Sequence, residues 1–164
     1  MIHKFDPSWG SHLVPLIKCL EKTSGPVIEL GIGISSTPLL HALCFDQGRH
    51  LISYDNNPVF IEMFKKYRTI GHDVVLVKDW NEILTKPYSV VLVDHKPEER
   101  RKIDVKKFEN AEYVILHDSE PDKNDLYHYD EIYPLFKYRF DYTKTQVHTT
   151  VLSNLYDLDF LHNP

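Results

Sequence analysis

The sequence predicts an α/β domain built on a mostly parallel seven-stranded sheet, with helices on both faces and an antiparallel strand at the C-terminal end. Three observations carry that prediction. Short, nearly continuous apolar runs alternate with helical segments, as strands covered on both faces require. The first run ends in two glycines and a hydroxyl cluster, and the second ends in a carboxylate, which is how a β-turn-α-β unit builds a nucleoside pocket. The last two runs, 138–143 and 149–153, are separated by five residues, too few for a helical crossover, so they should pair as an antiparallel hairpin.

Taken in order, a helix is expected over 10–22 and a strand over 27–30. Gly31 and Gly33 then give a turn free of Cβ atoms, able to take positive φ and to let a ligand lie against backbone. Thr37 is a suitable N-cap and Pro38 suits the first helical position, predicting a helix over 38–45. A strand over 51–55 ends in Asp55, where an acid can accept hydrogen bonds from both ribose hydroxyls, with Asn56 beside it in the same pocket. Two glycines alone would serve a ligand-free turn equally well; Asp55 is the independent match. Glu29 stands two residues before Gly31, where its charge would oppose a pyrophosphate and suit a cationic ligand. Further strands are expected over 74–78, 90–94 and 113–117, and further helices over 58–70, 98–108 and 125–136.

These residues resemble the class I S-adenosylmethionine-dependent methyltransferases, whose cofactor carries a sulfonium and an ammonium beside its adenosine. Glu29-Leu30-Gly31-Ile32-Gly33 is similar to the family's first motif, with Ser35 where a third glycine often stands. The resemblance makes Asp55 the ribose-binding acid. It also makes Lys78-Asp79-Trp80 the third motif, with Asp79 and Trp80 at the adenine. It runs from about residue 27 to the C-terminus and implies a Rossmann-like methyltransferase fold, whose seventh strand is antiparallel. An NAD or nucleotide-sugar enzyme is disfavoured by Glu29 and by the terminal hairpin.

Ligands of open α/β sheets sit beyond the carboxyl ends of the strands, which singles out Asp94-His95-Lys96 and His117-Asp118-Ser119-Glu120. Two carboxylates at adjacent strand ends can share a hard divalent cation, or can simply cap the helices that follow. The segment from Val90 to Lys96 resembles the fourth-strand motif of the catechol O-methyltransferase group. That resemblance implies a Mg²⁺ site at Asp94, Asp118 and Ser119, the last replacing the family's Asn, and a general base at Lys96, one residue early. His95 and His117 are further candidates for acid-base work, Glu120 is another acid in reach, and Tyr127, His128 and Tyr129 are pocket candidates. Trp9 and His12 either close over the cofactor or cap and anchor the first helix. Arg100 and Arg101 are expected to be solvated helix charges.

At 164 residues the chain should be one domain with no separate substrate domain, so an acceptor is either very small or held partly by a second copy in a homo-oligomer. The formal net charge is −5 and the Lys/Arg clusters alternate with acids, which argues against a nucleic-acid partner. No apolar run suits a membrane span or a secretory leader, and Cys19 and Cys44 lack metal-ligand spacing; free buried thiols and a cytoplasmic protein are expected. Two functions follow. The first is S-adenosylmethionine-dependent O-methylation of a small hydroxylated molecule. The second is a non-catalytic methyltransferase-like module working through protein contacts.

Overall fold

The structure, a computed structural model, describes residues 7–162. Seven strands form one sheet in the order β3-β2-β1-β4-β5-β7-β6. They are β1 (Val27–Leu30), β2 (Leu51–Asp55), β3 (His72–Leu76), β4 (Val90–Val93), β5 (Tyr113–His117), β6 (Tyr138–Tyr142) and β7 (Thr149–Ser153). The first five pair in parallel, Val27 lying beside both Leu51 and Val90. Antiparallel β7 pairs with β5 through Ile115 and Val151 and with β6 through Phe140 and Val151, which is the expected terminal hairpin.

Because successive side chains of a strand face opposite ways, β1 divides its residues between two cores. Ile28 and Leu30 pack on one face with Val91, Val93, Val114 and Leu116. Val27 faces the other way, among Leu16 and Leu20 of α1 (Leu13–Glu21) and Leu40 of α2 (Ser36–Asp46). Glu29 shares the parity of Val27, so its carboxylate is carried toward the first turn of α2, and the strand leaves it no exposure.

Several boundaries differ from expectation, each for a local reason. The first helix is a 3₁₀ turn, Pro7–Gly10, followed by α1. The second begins at Ser36, so Thr37 lies inside it, its hydroxyl bonded to Glu29 and to the Gly33 N–H instead of capping. In place of one helix over 58–70, α3 (Pro58–Phe64) gives way to a 3₁₀ turn at Lys65–Tyr67. The following strand starts two residues early because His72 is buried and its Nε2 lies 3.0 Å from Ser53 Oγ. Residues 98–108 form one run in three pieces, of which α4 (Arg101–Val105) is the central one. The helix expected over 125–136 stops after α5 (Asn124–Tyr127), where His128 turns left-handed at φ 53°. Among the described residues no helix is long and apolar enough to cross a membrane.

Candidate active site

The strand order reverses between β1 and β4, where the connections leave the sheet in opposite directions and open a crevice at the carboxyl ends. A cavity of about 400 Å³ lies there, lined by Ile32 after β1, Asp55 to Asn57 after β2, and Asp94 to Lys96 after β4. A second cavity of about 300 Å³ adjoins it and shares Ile32, Phe60, Asp94 and Lys96. Trp9, His12, Ile34 and His117 form its other walls.

The glycine turn is shaped by close packing. Gly31 has φ +98°, and a Cβ there would stand 2.4 Å from the Asp94 carbonyl oxygen. At Gly33 a Cβ would meet Ser36 Oγ at 2.6 Å. Asp55 Oδ2 accepts from the Ile32 N–H at 2.9 Å and Oδ1 from the Asn57 N–H at 2.7 Å, so the acid closing β2 holds the loop closing β1. Burial raises the Asp55 pKa above the usual carboxylate value. Asn56 Nδ2 donates to the Lys96 carbonyl at 3.1 Å, tying the ends of β2 and β4 together.

Glu29 accepts from Ser36 Oγ at 2.5 Å and from Thr37 Oγ1 at 2.9 Å. Burial nevertheless raises its carboxyl from 4.5 to about 7, outweighing the bonds from Ser36, Ser53 and Thr37. Between those two pH values the unfolded chain releases a proton that the folded chain keeps. This group's contribution to stability is therefore full below pH 4.5 and is lost as the pH rises through about 7. The loss amounts to about 3 kcal/mol. Glu29→Gln keeps an acceptor without the charge and should flatten this part of the stability curve. Urea midpoints of both proteins at pH 5 and pH 8 measure it, and parallel curves would refute it.

Between β4 and β5 the expected metal position is taken by a side chain. The guanidinium of Arg101 donates to Asp94 Oδ1 at 2.9 Å and to Asp118 Oδ2 at 3.1 Å, and also to the carbonyls of His95 and His117. It stacks on Tyr127, 4.6 Å from the ring centre, and only 3% of its side chain is exposed. Arg101 is therefore not a solvated charge. It sits in register with buried Asp104, Val105 and Phe108, the inward stripe of its helical run. Arg100 turns the other way, onto Asp104 and Asn81. Asp118, left-handed at φ 56°, also accepts from Tyr127 Oη at 3.0 Å, while Ser119 Oγ accepts from Thr150 at 2.9 Å. A fixed cation already bridges the two carboxylates, so Asp94, Asp118 and Ser119 do not fit a Mg²⁺ ion.

His117 links these acids to the second cavity. Its Nδ1 lies 3.1 Å from Asp94 Oδ1 and its Nε2 2.9 Å from Ser11 Oγ. Against burial, its bonds to Asp118 and Asp94 lift its pKa to about 10. Burial likewise opposes ionisation of Asp118, yet His117 and Arg101 hold it well below the usual carboxylate range. The order Ser11, His117, Asp94 is that of a nucleophile, base and acid, but Ser11 is 2% exposed and lines neither cavity, so it fixes the ring instead. His12 packs edge-on against His117 with centroids 4.8 Å apart, and neither of its nitrogens has a hydrogen-bond partner among the described residues. Burial, with the neighbouring His117, lowers its pKa to about 4.

Of the remaining expected residues, Lys96 reaches the cavities, and the others lie apart from them or turn their side chains to other partners. His95 is 2% exposed; its Nε2 lies 3.0 Å from Asp104 Oδ2 and its ring packs on Trp80 at 4.1 Å. Asp104, despite burial, is held at about 2 by bonds from His95, Arg100 and Lys107. Asp79 caps a 3₁₀ turn through the Asn81 N–H, and Trp80 Nε1 donates to the Lys96 carbonyl at 2.9 Å; neither residue lines either cavity. Ser119 and Glu120 open onto a separate hollow beside Tyr133 and Arg139. Lys96 reaches both cavities from the surface and pairs with Glu98 at 3.3 Å. Arg101, expected as a solvated helix charge, is the buried bridge, and His12, expected either over the cofactor or at the first helix, stands on the wall of the second cavity.

No family model and no curated protein matches the chain. Solved structures do resemble it. Human methyltransferase-like protein 13 in complex with SAH superposes with a TM-score of 0.58 at 15% identity, over 91% of this chain and 82% of that one. The methyltransferase domain of METTL16 gives 0.61 at 14%, over 88% and 66%. Spermidine synthase in complex with the transition-state analogue AdoDATO gives 0.64 at 13%, over 91% and 60%. Strand order, the antiparallel seventh strand and these likenesses together establish that the chain has the Rossmann-like methyltransferase fold.

Proposed function

We propose that the chain is an S-adenosylmethionine-dependent methyltransferase acting on a hydroxyl of a small molecule. The observation that carries this reading is the pair of adjoining cavities at the reversal point of the sheet, the first bounded by Ile32 and the Asp55 carboxylate. Asp55 and Asn56 would hold the ribose against the Gly31 to Gly33 backbone, with Glu29 anchoring that turn through α2. The second cavity would take the acceptor, and its volume suits a small molecule.

In this reading the acceptor oxygen forms a bond to the methyl carbon as the carbon–sulfur bond breaks. The bonding pair returns to sulfur, leaving a neutral thioether, and the hydroxyl proton leaves the oxygen. Lys96 and His117, the expected proton carriers, line the acceptor cavity, whereas His95 faces Asp104; His117 keeps both ring nitrogens on Asp94 and Ser11, so the hydroxyl proton would leave by way of Lys96 or to water. The protein's contribution is chiefly in-line positioning, which needs few reactive side chains. Calorimetric titration with S-adenosylmethionine and S-adenosylhomocysteine tests the reading. Asp55→Ala should weaken both by about 1.5–3 kcal/mol, roughly ten- to a hundredfold. Binding of neither ligand would overturn it.

A further inference from the structure

We infer that His12, Asp94 and His117 form a site for a divalent first-row transition metal of the Zn²⁺, Co²⁺ or Fe²⁺ kind, on the wall of the second cavity. One ligand atom from each side chain lies within 4.8 Å of the others, and all three residues line that cavity. Two imidazoles and a carboxylate are the donor set of borderline transition metals, unlike the all-oxygen shell that Mg²⁺ prefers.

His12 points to a ligand independently. It is 2% exposed, with both ring nitrogens buried and without a hydrogen-bond partner among the described residues, a costly arrangement that a bound cation would relieve at one of them. The surroundings have the form of a metal's outer shell. A ligating histidine holds its other ring nitrogen on a fixed partner, and His117 Nε2 lies 2.9 Å from Ser11 Oγ while Nδ1 faces Asp94. The carboxylate is held in turn by Arg101 at 2.9 Å. The metal would replace the proton between His117 Nδ1 and Asp94, so binding releases a proton. Metal–nitrogen bonds of 2.0–2.1 Å bring tetrahedral ligand atoms to roughly 3.3 Å apart, so the rings must close by about 1.5 Å at most. The site shares only Asp94 with the Mg²⁺ set and stands independently of the cofactor reading.

The test uses untagged, metal-free protein without cofactor. Zn²⁺ calorimetry should give one equivalent bound with proton release, and Co²⁺ should give a visible ligand-field spectrum. His12→Phe keeps the ring's bulk and removes two unpartnered nitrogens, so the metal-free variant should melt no lower than the parent. It should also bind metal more than about tenfold more weakly, beyond the least effect of losing an outer-shell partner. His117→Asn should lose binding too. Absence of a Co²⁺ spectrum in the parent, or equal binding by parent and His12→Phe, would overturn the site. S-adenosylmethionine titration of the same proteins separates the two readings, since the cofactor should bind His12→Phe as it binds the parent.

Discussion

Arg101→Leu should lower the unfolding free energy by about 3–5 kcal/mol, because it removes a buried cation that bridges two carboxylates and leaves His117 alone between their charges. The guanidinium reaches Asp94, Asp118 and the carbonyls of His95 and His117 at 2.8–3.2 Å, so every one of these groups loses a partner at once. For a chain of this length that corresponds to a fall in melting temperature on the order of 10 °C. Arg101→Lys tests the geometry apart from the charge. An ammonium cannot span four acceptors spread across two strand ends, so lysine should recover only part of the loss. Urea unfolding of the three proteins measures both effects, and a loss under about 1 kcal/mol for leucine would show that water replaces the guanidinium.

Gly31→Ala should be nearly as damaging and should strike the cleft itself. The added Cβ meets backbone, at 2.4 and 2.5 Å from the Asp94 carbonyl and 2.7 Å from the His95 nitrogen, and φ is +98°. Unfavourable φ costs about 1–2 kcal/mol and overpacking against a part that cannot swing away about 1–3 more. Relief requires the β1 and β4 ends to part, which pulls the Ile32 N–H from Asp55, so affinity for the cofactor should fall with stability. Gly48→Ala is the control: its φ is +65° but nothing lies within 4 Å of the new atom, so only the conformational cost of about 1 kcal/mol remains. Equal losses at the two positions would mean that the turn relaxes around the methyl group.

Strand positions were legible because apolar runs bounded by turns report burial directly. The bounds of β1, β2, β5 and β7 coincide with those runs. The hairpin was legible because a short connection admits no alternative. Helix ends were harder, since the break at His128 comes from a left-handed residue that no glycine announces. Of the expected site residues, some line the cleft and others do not. Asp55 and Asp94 stand at the cleft because strand ends must lead there. Whether a charge is solvated depends on which neighbour reaches it, and Arg101 lies 17 residues from Asp118 in the chain. Its register with Val105 and Phe108 was the available signal, one that a count of helix charges passes over.

The bond between Ser11 and His117 spans 106 positions, and it bears on synthesis. At the usual 5–20 residues per second the ribosome releases His117 roughly 5–20 s after Ser11. For about the first three-quarters of that interval, until β4 is made, the inward face of α1, with Leu16, Cys19 and Leu20, has neither β4 nor β5 to lie against. The nascent chain therefore carries a sticky helix in search of late partners, the situation that holding chaperones serve. The cleft is among the last parts assembled, and a truncated translation product ending before β5 carries His12 with no His117 to meet it.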